Sequence, residues 1–349
     1  MNQQNSLWTM LAQHHLVSGE EPQAKELASP WYIKLLLAIS GWLAAAFLLG
    51  FLGFGFSLIL DSIPASFMLS IILLGAAYMI LNLDKNDFLE HLGLAVSLAA
   101  QVILGITLFR YFKGDSTTAW FIIALVQTAL AWLMPNYIHR LFSAYFATTA
   151  LFTALWGLKP ILIPLFMLLA IYLWMHEFTY PKQIERMQAF GYGILLSLIH
   201  IESSRVFSEV LFEINRTPYF TLGIPWLELI LTTLVMLYLM ILLTKEHQPD
   251  LTKQLYGALF IAIVALSASA IYIPGIMLGT LIILLGFNHS NRVLSGIGIL
   301  SLLFYVSSYY YQLHATLMEK SMILGVLGVS LLLGRWLILS LLLPVKEDA

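Results

Sequence analysis

Hydrophobic residues run along this chain in eleven or twelve stretches, each about one bilayer thick and separated by short polar segments. The first stretch, residues 35–60, holds 26 residues without a charge. At about 1.5 Å per residue it would form a helix roughly 39 Å long. A chain that is buried in lipid to this extent, with such small polar loops, satisfies its backbone hydrogen bonds through helices. The pattern therefore predicts an all-α, polytopic transmembrane helical bundle.

The predicted domain organisation is a short cap (1–33), a transmembrane bundle (34–343) and a short tail (344–349). The cap has no basic segment directly before an apolar core, so it is not a cleavable signal peptide. One span is too short to cross alone unless it includes residues 271–275, and the count is therefore eleven or twelve. The predicted spans are 34–60, 65–82, 90–110, 118–134, 141–158, 160–176, 187–203, 225–244, 255–273, 275–287, 293–311 and 320–343.

Composition agrees with this class and excludes several functions. The chain is 60% hydrophobic and 10% charged, with a mean hydropathy of +0.86. A net charge of −2 without a concentrated basic face argues against binding of nucleic acid. The absence of cysteine excludes disulfides, thiolate metal sites and cysteine nucleophiles. No residue pattern indicates a metal site, a cofactor or a catalytic motif, and the lipid bilayer is the one partner that composition implies.

Lys and Arg residues are distributed unequally between alternate loops. Ten lie on the side of the N-terminus and six on the opposite side. Because positively charged loops are retained in the cytoplasm, the bias favours cytoplasmic N- and C-termini.

Two turns on the predicted cytoplasmic side show a weak internal repeat, which aligns Asn136 with Asn288 and Arg140 with Arg292. Duplicated hairpins are common in transporters, where the site lies between the repeats. The alternative is that any two apolar helices joined by a basic turn look alike.

The segment 202–224 has the most regular polar pattern outside the spans. Its charged residues are spaced three, four, four and three apart, which places them on one helical face within about 80°. They are Glu202, Arg205, Glu209, Glu213 and Arg216. Apolar residues occupy the other face, so we predict an amphipathic helix that lies on the outer membrane surface or covers the bundle. It is either a docking surface or gate, or simply a solvated face.

Polar side chains inside the predicted spans are functional candidates because burying them in lipid is costly. His200 is a candidate for a proton-linked or binding role, or alternatively an interfacial histidine bonded to a serine or a backbone carbonyl. Arg335 either extends to the cytoplasmic head groups or balances a buried acid. Gln101 and Gln127 are explained adequately by hydrogen bonds between helices.

The segment 309–336 is the least generic part of the chain. A tyrosine cluster leads through a polar turn with His314, Glu319 and Lys320 to a glycine-containing helix. This segment resembles the C-terminal signature of DUF4401, a bacterial family of multi-spanning membrane proteins. The matching residues are Tyr309, Tyr310, Tyr311, Leu317, Lys320, Ser321, Gly328 and Arg335.

The resemblance implies a protein of the bacterial inner membrane, often encoded beside a small protein named for a GDYxxLxY motif. It therefore implies a small partner on the periplasmic side, for which segment 202–216 and turn 309–320 are the candidate docking residues. The leading hypothesis is a non-enzymatic component of such a membrane complex. A small-solute transporter or permease is the alternative. An intramembrane enzyme is the third, and it requires His200, Glu202 and His314 to share one cavity.

Overall fold

The computed structural model describes residues 61–83, 87–212, 226–247, 253–271, 273, 275–312, 316–319, 321–322 and 325, together with eight helical positions between 36 and 51. Side chains are described within these ranges except at 87–88, 205–212, 247, 253–256, 258 and 312.

Ten α-helices make up most of the described chain, in close agreement with the predicted spans. They are α1 (Ile63–Asn82), α2 (Asp87–Tyr111), α3 (Ser116–Leu133), α4 (Tyr137–Ala154), α5 (Lys159–Met175), α6 (Ile184–Phe212), α7 (Leu227–His247), α8 (Lys253–Ala270), α9 (Ile276–Asn288) and α10 (Arg292–Gln312). Short 3-10 turns, Trp156–Leu158, Glu177–Thr179 and Pro181–Gln183, lie before and after α5. The described residues contain no strand, which confirms the all-α class.

Six of the described helical segments are long and apolar enough to cross a membrane. They are Ile63–Asn82, Leu89–Tyr111, Ser116–Leu133, Trp156–Met175, Leu227–Glu246 and Arg292–Tyr311. Helix α7 shows how such a segment faces lipid, because large apolar side chains form an exposed stripe along one side of it, at Ile230, Leu234, Tyr238 and Ile241. Such a continuous apolar stripe is suited to hydrocarbon and not to water.

Two compact units divide the chain. In the first, residues 1–61 and 71–100, the Gly93 face of α2 packs against Leu81 of α1. The second unit, residues 62–70 and 101–349, contains a core built from α5, α6, α7 and α9. Trp174, Leu198, Leu239 and Leu281 are fully buried there.

Asparagine side chains begin two of the helices in the second unit. Asn136 Oδ1 accepts a hydrogen bond from the backbone N–H of His139 at 2.9 Å, which caps α4. Asn291 Oδ1 accepts from the N–H of Leu294 at 3.1 Å at the start of α10. Asn288 is the last residue of α9 and not a cap. By capping role Asn136 corresponds to Asn291, whereas the sequence alignment paired it with Asn288.

Helices α8 and α9 are separate, with a short connection between Ala270 and Ile276. Helix α9 has 13 residues, which gives about 20 Å of helix, and residues 271–275 do not extend it. Gly275 adopts a left-handed conformation with φ of 83°, and a Cβ there would lie 2.5 Å from the Tyr305 ring. Glycine is therefore required at this turn. The sequence correctly indicated a helix too short to cross a bilayer alone.

Candidate functional site

Helices α2, α3 and α4 share a chain of hydrogen-bonded polar side chains. Gln127 Nε2 donates to Gln101 Oε1 at 2.9 Å, and Gln101 Nε2 donates to His139 Nε2 at 3.2 Å. The other ring nitrogen, His139 Nδ1, lies 3.2 Å from Ser143 Oγ. Gln127, His139 and Ser143 are buried. The interhelical hydrogen bonding expected for Gln101 and Gln127 is therefore present, and it extends to two further residues.

The directions of these bonds define the protonation of the imidazole. Because an amide nitrogen only donates, His139 Nε2 must accept, so the proton lies on Nδ1 and is donated to Ser143. A second proton on Nε2 would require Gln101 to present its oxygen instead. Gln127 Oε1 is buried and has no hydrogen-bond partner among the described residues. The network thus couples amide orientation to the charge of one histidine and ends at this oxygen.

A second set of polar contacts joins α4 to α6. The Tyr145 hydroxyl hydrogen-bonds to His200 Nδ1, and the two rings stack with centroids 5.7 Å apart. Thr149 Oγ1 lies 2.9 Å from Ser197 Oγ one turn deeper. His200 is exposed and its described contact is to a tyrosine, whereas the sequence suggested a serine or a carbonyl. The contact serves helix association, which is the usual role of polar residues in spans.

Glu202 is buried, with 3% of its surface exposed. It belongs to α6, which continues to Phe212, so the residues before 213 extend this helix and do not start a separate surface helix. A buried carboxylate is not available for docking. His200 and Glu202 also differ in exposure, as expected for residues two apart on a helix. The intramembrane-enzyme hypothesis also requires His314, which lies outside the described residues, so it stays a prediction.

The polar turn after α10 contains a capping box. The backbone N–H and the hydroxyl of Thr316 donate to Glu319 Oε2 at 2.9 and 3.0 Å, and the N–H of Glu319 donates to Thr316 Oγ1 at 3.3 Å. The backbone and side-chain hydrogen bonds from Thr316 lower the pKa of the Glu319 carboxyl. Glu319 therefore orders the start of the helix that begins at Leu317.

Several predicted site residues lie outside the described part of the chain. They are the side chains of Arg205 and Glu209, and the residues Glu213, Arg216, His314, Lys320 and Arg335. The same holds for the predicted cap, 1–33, and tail, 344–349. Among the described residues, no group of three or more His, Cys, Asp or Glu side chains is arranged to hold a metal ion.

Sequence reasoning missed His139, Ser143 and Tyr145. The predicted span began at residue 141, so His139 was placed in a solvated turn. A usable signal was present, because Ser143 follows His139 by four residues and so lies on the same helical face within a largely apolar segment.

The helices and their exposed apolar stripes define the class: a multi-pass α-helical membrane protein. A family model described as "Domain of unknown function (DUF4401)" matches residues 30–341, nearly the whole chain. The chain therefore belongs to the DUF4401 family, which confirms the resemblance in the C-terminal signature. No curated protein and no solved structure matches the chain.

Proposed function

We propose that this protein is a non-enzymatic component of a membrane complex and that it binds a small exported partner at the turn 309–320. Support comes from the exposure of Tyr311, Leu317 and Met318, which is 80, 81 and 72%. These side chains flank a helix start held by the capping box of Thr316 and Glu319. Exposed apolar anchors beside a capped helix start are suited to burial in a protein interface.

The proposal places the protein in the bacterial inner membrane, with both termini in the cytoplasm and the docking turn on the periplasmic side. The distribution of Lys and Arg between loops supports this orientation. The partner we propose is the small GDYxxLxY-type protein that the sequence resemblance implies.

A tagged pull-down from native membranes in mild detergent, followed by mass spectrometry, tests the proposal. Leu317→Glu places a charge in the docking turn and is expected to reduce the recovered partner at least about tenfold, because an unpaired charge in an interface is costly. Phe287→Glu is the matched control. Phe287 is 83% exposed but lies at the other end of α10, where α9 turns into it. Equal recovery with both variants, or no stoichiometric partner, would contradict the proposal.

A small-solute permease is the second candidate, and the polar chain of Gln101, Gln127 and His139 is the observation that favours it. Transporters hold solutes within the membrane with polar side chains and interrupted helices. Gln127 Oε1, which has no hydrogen-bond partner among the described residues, and the interruption before α9 are features of this kind. Uptake by proteoliposomes of a panel of labelled polar solutes tests this function. Gln101→Leu is expected to abolish any uptake, and Gln183→Leu, at an exposed position in a 3-10 turn, is expected to preserve it.

A further inference from the structure

A second buried polar cluster lies at one end of the core, where α5 ends, α6 begins and α9 turns toward α10. Trp174 is 1% exposed at the end of α5, and Glu177 is 4% exposed in the following 3-10 turn. Gln188 of α6 donates through Nε2 to Glu177 Oε1 at 3.1 Å. The cluster is separate from the polar chain and from the docking turn.

Aromatic rings surround the Trp174 indole. The Tyr192 ring meets it edge-on at 5.0 Å between centroids, and the His289 ring lies 5.8 Å away. Next to His289, Asn288 Nδ2 contacts Met175 Sδ at 3.8 Å. These contacts join the ends of α5 and α9 and the start of α6 into one cluster.

Three polar atoms in this cluster are buried without a hydrogen-bond partner among the described residues: Glu177 Oε2, Trp174 Nε1 and Asn288 Oδ1. Two are acceptors and one is a donor. Glu177 also makes no ion pair within the described part of the chain. Burial of an isolated carboxylate is unfavourable, so a group that satisfies it is expected. Native proteins rarely leave such atoms unpaired without a functional reason.

We propose that these three atoms form a binding site for a primary ammonium group that carries an oxygen acceptor a few bonds away. The ammonium donates to Glu177 Oε2 and Asn288 Oδ1 and neutralises the carboxylate. The ligand oxygen accepts from Trp174 Nε1.

Other occupants fit less well. A sodium ion requires several oxygen ligands and leaves the indole N–H of Trp174 unsatisfied. A buried water molecule satisfies all three atoms but does not neutralise Glu177. An amino alcohol both neutralises the Glu177 carboxylate and supplies hydrogen-bond partners for all three atoms.

Two sources supply this chemistry: a free amino alcohol and the ethanolamine head group of a phospholipid. The site lies at the end of the span Trp156–Met175, near head-group level. Basic residues at this end, Lys182, Arg186 and Arg292, are suited to a lipid phosphate. The experiment below separates the two sources.

The test uses the full chain in phosphatidylcholine nanodiscs, with the unfolding midpoint followed by tryptophan fluorescence. Ethanolamine is expected to raise Tm in a dose-dependent way, ethylamine less, and choline or NaCl at equal ionic strength not at all. Glu177→Gln is expected to weaken the apparent affinity for ethanolamine at least about tenfold, since it removes one charge of a buried pair. Glu185→Gln, an exposed acid of the same segment, is the matched control and should change the affinity less than about twofold.

Trp174→Phe keeps the ring and removes only the N–H. It is expected to abolish the preference for ethanolamine over ethylamine, a readout that a purely structural residue would not change. Phosphatidylethanolamine nanodiscs that raise Tm without added amine, in wild type but not in Glu177→Gln, identify the lipid head group as the source. A response only to dissolved ethanolamine identifies the free amine. No response beyond that to NaCl, or an undiminished response in Glu177→Gln, overturns the proposal.

Discussion

The packing of α9 against α10 gives the most direct test of the fold, through two glycines on one helix. A Cβ added at Gly298 would lie 2.8 Å from the backbone nitrogen of Ile283, whereas a Cβ at Gly296 meets nothing within 4 Å. Normal carbon contacts begin near 3.5 Å, so Gly298→Ala forces the two backbones apart by about 0.7 Å. Overpacking of this kind costs about 1–3 kcal/mol.

Both substitutions gain the same helix propensity, up to about 1 kcal/mol, because both replace glycine with alanine inside α10. The difference between the variants therefore isolates the packing cost. We expect the free energy of unfolding of Gly298→Ala to be about 1–3 kcal/mol lower than that of Gly296→Ala.

Unfolding in mixed micelles with increasing SDS, followed by circular dichroism, measures this difference. Equal midpoints for Gly298→Ala and Gly296→Ala would refute the close approach of α9 and α10.

Three further predictions concern hydrogen bonds. Asp115 caps α3, and its hydrogen bonds to Thr118 lower the pKa of its carboxyl below the ordinary value of 3.8. The ionised cap therefore stabilises the fold above pH 3.8, and this stabilisation is lost as the pH falls through the lower pKa of the folded state. Asp115→Asn should remove this acid dependence in thermal unfolding. Gln101→Leu should destabilise the protein by about 1–2 kcal/mol in SDS titrations, more than Gln127→Leu, since Gln101 bonds on both sides. Tyr145→Phe removes the hydrogen bond to His200 and should lower the free energy of unfolding by about 1 kcal/mol in the same assay. An unchanged midpoint would show that this bond does not stabilise the protein.

The helices were predictable because lipid imposes a simple rule on the chain. A segment that must satisfy its own backbone bonds and face hydrocarbon is long, apolar and bounded by polar turns. The span predicted at 293–311 corresponds to α10, Arg292–Gln312, and the one at 118–134 corresponds to α3, Ser116–Leu133. The extension of α6 to Phe212 was missed because charged residues at regular spacing read as a surface helix, although Glu202 is buried.

The candidate sites were less predictable, because they depend on which helix faces meet. The sequence identified Gln101 and Gln127 as polar residues within spans, but it did not indicate that they bond to each other or to His139. Glu177 lies in a short polar connection, where a charged residue is usually solvated. Its burial comes from α6, which crosses the end of α5 and brings Gln188 to the carboxylate. The hydrophobic periodicity of one segment does not indicate which other helix that segment will contact.

The shortness of α9 has a consequence for how the protein is made. At 13 residues, α9 falls well below the roughly 20 apolar residues that a spanning helix needs. Helix α9 is therefore expected to enter the membrane together with α10, as a hairpin whose close backbone contact at Gly298 forms during insertion. Appending a glycosylation acceptor after α9 alone, and then after the α9–α10 pair, should show stable integration of the pair only. Assembly of this part of the protein is thus expected to proceed by hairpins and not by single spans.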